Sequence, residues 1–148
     1  LSPRQNRNIP PLKYDYVYKL KEDFPELEII INGGIKSLEE SKTHLKKVDG
    51  VMIGRAAYDN PFMLKDIESN FYNIDSCTES KKEILNKYLE YVEMQLKNGH
   101  NLSKMMKHLF GLSRGDKYAK TFRIKIIEIM KNNSLKGHKE DLEKLLVY

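Results

Sequence analysis

The sequence has a single cysteine and no long apolar run, and each shortage closes a class of protein. With Cys77 alone, no disulfide framework can form, and a lone thiol suits a reducing compartment. No stretch approaches the roughly 20 apolar residues of a membrane-spanning helix, and nothing at the start has the grammar of a secretory leader. His44, His100, His108 and His138 fall at no metal-ligand spacing with one another or with the acids, so no metal site is expected. A methionine is also missing from the start: Leu1-Ser2-Pro3 reads as an interior stretch of a longer chain. These absences fit a cytoplasmic protein, or an organellar one if a targeting segment precedes Leu1.

What is present is a 148-residue chain, 40% hydrophobic and 32% charged, enough for one ordinary domain or two small ones. Its net charge of +5 is unevenly placed. Acids and bases balance through residue 72, so the excess lies in the second half. It concentrates where Lys104, Lys107, Arg114, Lys117, Lys120, Arg123 and Lys125 face only Asp116. Such a run is either a solvated face or a polyanion-binding surface.

The first half alternates helix and strand signals. Over residues 14–24, Val17, Leu20 and Phe24 keep helical spacing until Pro25 stops the pattern. Residues 27–31 form a short, β-branched run suited to a strand buried on both faces, broken by Asn32-Gly33-Gly34. Ser37 and Glu40 make a capping box for a helix over 38–47, with Leu38, Ser41 and Leu45 inward. Residues 48–53 read as a second buried strand ended by Gly54-Arg55, and 61–71 as a further helix. This order predicts βαβ units and a parallel sheet. Two strands cannot bury both faces alone, so this half calls for a partner: more barrel from a preceding segment, or another chain.

The second half carries no strand signal. Residues 75–80 read as a polar linker, and Ser80 with Glu83 opens a helix to about residue 97. Its expected inward side is Ile84, Tyr88, Tyr91, Val92 and Gln95 or Leu96, and Asn98-Gly99 ends it. Leu102, Met105, Met106, Leu109 and Phe110 mark a second helix, and 118–132 a third with Ala119, Phe122, Ile126 and Met130 as its stripe. A short helix over 141–147 completes a small bundle. His108 is expected to pack or cap within it.

Both glycine turns close a predicted parallel strand, where barrel enzymes place their active sites and often a phosphate. Lacking Cβ atoms, Gly33, Gly34 and Gly54 let backbone N–H groups approach phosphate oxygens, and Arg55 adds a charged fork. Each turn could equally be only a turn; two in consecutive units strengthen the phosphate reading.

Residues 1–12, with Leu1-Ser2-Pro3, Asn6-Arg7 and Ile9-Pro10-Pro11-Leu12, resemble a segment of A-type tRNA-dihydrouridine synthases. Ile31-Asn32-Gly33-Gly34-Ile35, residues 49–55 and Tyr58-Asp59-Asn60-Pro61 resemble that family's last two barrel strands. His108-Leu109-Phe110-Gly111-Leu112 with Lys120 and Arg123 resembles its helical domain more loosely. The resemblance implies an α/β fold: the C-terminal portion of an FMN-binding (β/α)₈ barrel over residues 1–74, then an all-α tRNA-binding domain over 75–148. It implies FMN as prosthetic group, NADPH as reductant, and a uridine in the D-loop region of tRNA as substrate. Asn32, Gly33, Gly34, Gly54 and Arg55 match its flavin-binding positions, and Arg4, Arg7, Lys120 and Arg123 match tRNA contacts. The family's catalytic cysteine belongs to an earlier barrel loop, so this chain is expected to hold no catalytic residue, and Cys77 is a linker thiol. Two alternatives stand beside this reading: another FMN barrel of the dihydroorotate dehydrogenase kind, and a non-catalytic RNA-binding module.

Overall fold

A computed structural model describes residues 11–72 and 79–146 of the chain. It divides into two compact units, Leu1–Ala57 and Tyr58–Tyr148. Arg4, Arg7 and Cys77 lie outside the described residues.

In the first unit, helix α1 (Tyr14–Asp23) precedes strand β1 (Ile30–Asn32), helix α2 (Leu38–His44) and strand β2 (Gly50–Met52). The strands are parallel, with Ile30 opposite Gly50, Ile31 opposite Val51 and Asn32 opposite Met52. The βαβ order is as expected, but the strands are shorter than 27–31 and 48–53 and covered on one face only. Successive strand residues point to opposite faces. Ile31 is 1% exposed and joins Ile35 and Val48 in a small core, against which Tyr14, Val17 and Tyr18 of α1 pack. Ile30 on the other face is 58% exposed, and Asn32 and Met52 are exposed beside it.

The helices of this unit turn differently from their apolar spacing. Leu20 and Phe24 are exposed, while two tyrosines flank Val17 at the core. On α2 the buried residues are Ser41 and His44, not Leu38 and Leu45. An imidazole can be buried there because the Tyr18 hydroxyl lies 2.7 Å from its Nδ1. Ser37 caps α2 as expected, its Oγ accepting from the Glu40 amide at 3.1 Å. The Glu40 carboxylate, however, accepts from the Lys36 amide at 2.6 Å, one residue earlier than a regular capping box requires.

A five-residue helix missed by pattern reading, α3 (Arg55–Asp59), follows β2 directly. The second unit then contains α4 (Met63–Phe71), α5 (Lys81–Lys97), α6 (Leu102–Met106), a 3₁₀ segment (Lys107–Gly111), α7 (Ala119–Asn132) and α8 (Lys139–Lys144). Its core joins Leu85, Leu89 and Val92 of α5 to Phe122, Ile126 and Ile129 of α7, closed by Leu142 and Leu146. Phe62 packs on this core, within the second compact unit.

The start of α5 is a complete capping box. Ser80 Oγ accepts from the Glu83 amide at 3.2 Å, and the Glu83 carboxylate accepts from the Ser80 amide at 2.7 Å. Those donors, led by the Ser80 amide, hold the Glu83 carboxyl below the usual range. Gly111 is needed for another reason. A Cβ there would lie 2.5 Å from the Tyr58 carbonyl oxygen and 3.0 Å from that of Asp59. Only glycine lets the 3₁₀ segment approach that backbone so closely.

Candidate functional site

The two glycine turns leave the same end of the sheet. Asn32 pairs with Met52, so Gly33-Gly34 and Ile53-Gly54 continue from neighbouring strands, which run roughly 4.8 Å apart. Gly33 and Gly34 have φ of 112° and 68°, backbone that side-chain-bearing residues rarely adopt. They are also backed closely: a Cβ on Gly34 would lie 2.9 Å from Leu12 Cδ1 and 3.3 Å from the Tyr14 hydroxyl. Gly54 is open, its nearest neighbour being Met52 Sδ at 3.8 Å.

Helix α3 begins at Arg55, immediately after Gly54, so its first amides have no partner within the helix. Arg55 is exposed, and Asn32 lies on the face that the helices leave uncovered. All five predicted positions therefore belong to one end of one parallel pair. Glycine amides and a guanidinium form a donor set, the chemistry that suits a phosphate-like anion.

The second unit carries the basic surface. Lys104, Lys107, Arg114, Lys117, Lys120 and Arg123 are all exposed, and none makes an ion pair among the described residues. Arg123 Nε donates to the Phe110 carbonyl at 3.2 Å, fixing that guanidinium beside the 3₁₀ segment. The one acid of the run, Asp116, is bound at 2.5 Å by Lys81 from outside the run. Lys125 leaves the free face: Asp141 at 3.1 Å and Glu128 at 3.3 Å hold it, and the Asp141 hydrogen bond leads in raising its pKa. On α7 the expected stripe holds at Phe122 and Ile126, while Ile129 is buried in place of Met130, which packs at the margin. His108 is exposed, with its Nδ1 3.0 Å from the Tyr58 hydroxyl.

Comparison with known proteins decides the family. The family model described as "Dihydrouridine synthase (Dus)" matches residues 2–146. This chain belongs to the dihydrouridine synthase family.

The tRNA-dihydrouridine(20/20a) synthase of Vibrio cholerae serotype O1 is 41% identical over 128 residues, covering 86% of this chain and 39% of that protein. The enzyme of the same name from Synechocystis sp. is 46% identical over 123 residues, covering 83% of this chain and 37% of that protein. That from Pseudomonas putida is 43% identical over 123 residues, with the same two shares. The chain thus spans under two fifths of the length of these relatives. Family membership sets aside the reading of this chain as an enzyme of the dihydroorotate dehydrogenase kind.

Within this dihydrouridine synthase chain, pattern reading missed Tyr14 and His44. The Tyr14 hydroxyl donates to the Gly33 carbonyl at 2.5 Å, and His44 sits under the same helix. A tyrosine among the apolar positions of α1 was the available signal, but its partner is a backbone oxygen 19 residues away. Among the described residues, no group of three or more His, Cys, Asp or Glu gathers as a metal site would, and no helix is long and apolar enough to cross a membrane.

Proposed function

We propose that this chain is the part of a tRNA-dihydrouridine synthase that grips the flavin phosphate and carries a helical platform for tRNA. The carrying observation is the pair of glycine turns side by side at the carboxyl ends of two parallel strands, one followed directly by α3 with Arg55 at its start. The donor set fits the phosphate of FMN. Gly33, Gly34 and Gly54 would offer amides, Arg55 a charged fork, and Asn32 a side-chain amide toward the flavin from the uncovered face. Bound FMN would supply the hydride that reduces a uridine in the D-loop region of tRNA, with NADPH as the source of electrons.

The uncovered face carrying Ile30, Asn32 and Met52 supports a (β/α)₈ barrel, in which helices cover the outside of the strands and the other face looks inward. The remaining strands and the catalytic cysteine belong to the part of the enzyme this chain lacks, so the chain alone has no synthase activity. The exposed basic residues of the second unit support tRNA binding through phosphates, with Lys120 and Arg123 as contacts. Arg4 and Arg7 are proposed to join them from the preceding loop. The compartment is the cytoplasm.

Arg55→Ala tests the phosphate reading in the assembled enzyme, meaning this chain together with the rest of the barrel. FMN affinity, measured by quenching of flavin fluorescence, should fall by about 1.5–3 kcal/mol, the worth of a charged hydrogen bond. Unchanged affinity would overturn the reading.

A further inference from the structure

Helix α1 and helix α2 meet the Gly33-Gly34 turn through a linked set of rings. Tyr14 opens α1, and its hydroxyl donates to the Gly33 carbonyl at 2.5 Å. The same ring stands edge-on to His44, with centroids 4.6 Å apart and planes at 67°. His44 is 7% exposed, and the Tyr18 hydroxyl holds its Nδ1 at 2.7 Å. Lys47 lies over the Tyr18 ring, 4.4 Å from its centroid. The Tyr14 ring is therefore held by a packed neighbour that is itself held. Burial, then the charges of Glu40 and Tyr18, push the Tyr14 phenol pKa up, so the group keeps its proton and stays a donor.

Peptide geometry gives this contact a consequence. The described chain has no cis peptide bonds, and in a trans unit the C=O and the next N–H point opposite ways. Drawing the Gly33 carbonyl toward α1 aims the Gly34 N–H away from α1. Glycine itself does not enforce that choice, because it adopts either sign of φ at little cost. Were the peptide to flip, a carbonyl oxygen would replace the N–H, and an anion would meet a partial negative charge.

We infer that Tyr14 is a positioning residue for the flavin phosphate: its hydroxyl holds the Gly33 carbonyl so that the Gly34 amide stays turned outward as a donor. The inference rests on the reading of these turns as the phosphate grip. Tyr14 acts through the peptide it holds.

Tyr14→Phe is the discriminating variant, since it keeps the ring on His44 and removes only the hydroxyl. In the assembled enzyme stripped of flavin, the dissociation constants of FMN and riboflavin are measured by fluorescence quenching, with Arg55→Ala alongside. Riboflavin lacks the phosphate. Tyr14→Phe should weaken FMN about tenfold and leave riboflavin unchanged, because one peptide donor is no longer held in place. Equal losses for both flavins, including loss through failure to fold, would make the hydroxyl a mere support of the fold and overturn the inference. If Arg55→Ala reduces the preference for FMN and Tyr14→Phe does not, the inference falls while the phosphate reading stands. If neither variant alters that preference, the phosphate reading falls as well.

Discussion

Lys21 and Asp49 tie three segments of the first unit at the amino ends of its strands, opposite the glycine turns. The Lys21 ammonium lies 2.8 Å from Asp49 Oδ2 and donates to the carbonyls of Pro25 at 2.9 Å and Leu27 at 2.8 Å. Asp49 also accepts from the Ile29 amide at 2.8 Å. Lys21 first, and then the Ile29 amide, hold the Asp49 carboxyl below the usual range. A carboxylate depressed in the folded state contributes all its stability above its unfolded value, near 3.9, and loses it as pH falls through the folded value. Asp49→Asn should therefore lower the urea midpoint of this unit most at pH 7, and the gap from the parent should shrink below about pH 4. A gap that stays constant down to pH 3 would mean that the carboxylate charge plays no part. The two contacts that Asp49 makes are not visible in the sequence, since each requires knowing that β1 and β2 start level.

At the scale of elements, local signals were readable and facing was not. Ser80 and Glu83 announced the start of α5 because a cap depends only on residues three apart. The core face of that helix was read as Ile84, Tyr88, Tyr91 and Val92, yet Leu85, Leu89 and Val92 are buried and Tyr91 is exposed. Both sets keep helical spacing. The leucines take the centre because they carry no polar atom, whereas Tyr88 sits at the margin where its hydroxyl reaches the Met105 carbonyl at 2.9 Å. Residues 102–110 were read as one helix, but the chain tightens to a 3₁₀ segment after Met106, where Gly111 must meet the Tyr58 backbone.

Helix α7 allows the sharpest element-scale test. It turns Phe122, Ile126 and Ile129 to the core, leaving Lys120 and Arg123 exposed. Alanine at both positions should weaken tRNA binding by the assembled enzyme and flatten its salt dependence by roughly one counterion per lost phosphate contact. Flavin content should be unaffected. A gel-shift titration across salt concentrations with an unaltered slope would show that this face is only solvated.

At the scale of the whole molecule, the βαβ order and the helical second half were legible because hydrophobic period and glycine placement are properties of short windows. The exposure of one sheet face was anticipated only as a need for more structure, because burial depends on which strands come to lie alongside. Among the described residues the sheet has two strands of three residues each, with Ile30 and Met52 exposed on the uncovered face and Leu27 exposed nearby in sequence. Sheets of fewer than three strands are marginal in water, and burying an isoleucine or methionine side chain fully contributes about 1.5–3 kcal/mol. With each side chain about half exposed, covering this face would contribute roughly 2–3 kcal/mol, a sizeable fraction of the stability of a small domain. Expressed alone, the chain should self-associate at micromolar concentration, as read by light scattering, and should bind a hydrophobic dye. Ile30→Thr with Met52→Thr should lower both signals while leaving the helical content of the second unit unchanged, because no residue of its core is touched. Co-production with the segment that completes the barrel should suppress association in the unsubstituted chain. A parent chain that stays monomeric and dye-free would mean that the uncovered face is tolerated in water, and the barrel would lose its main structural support.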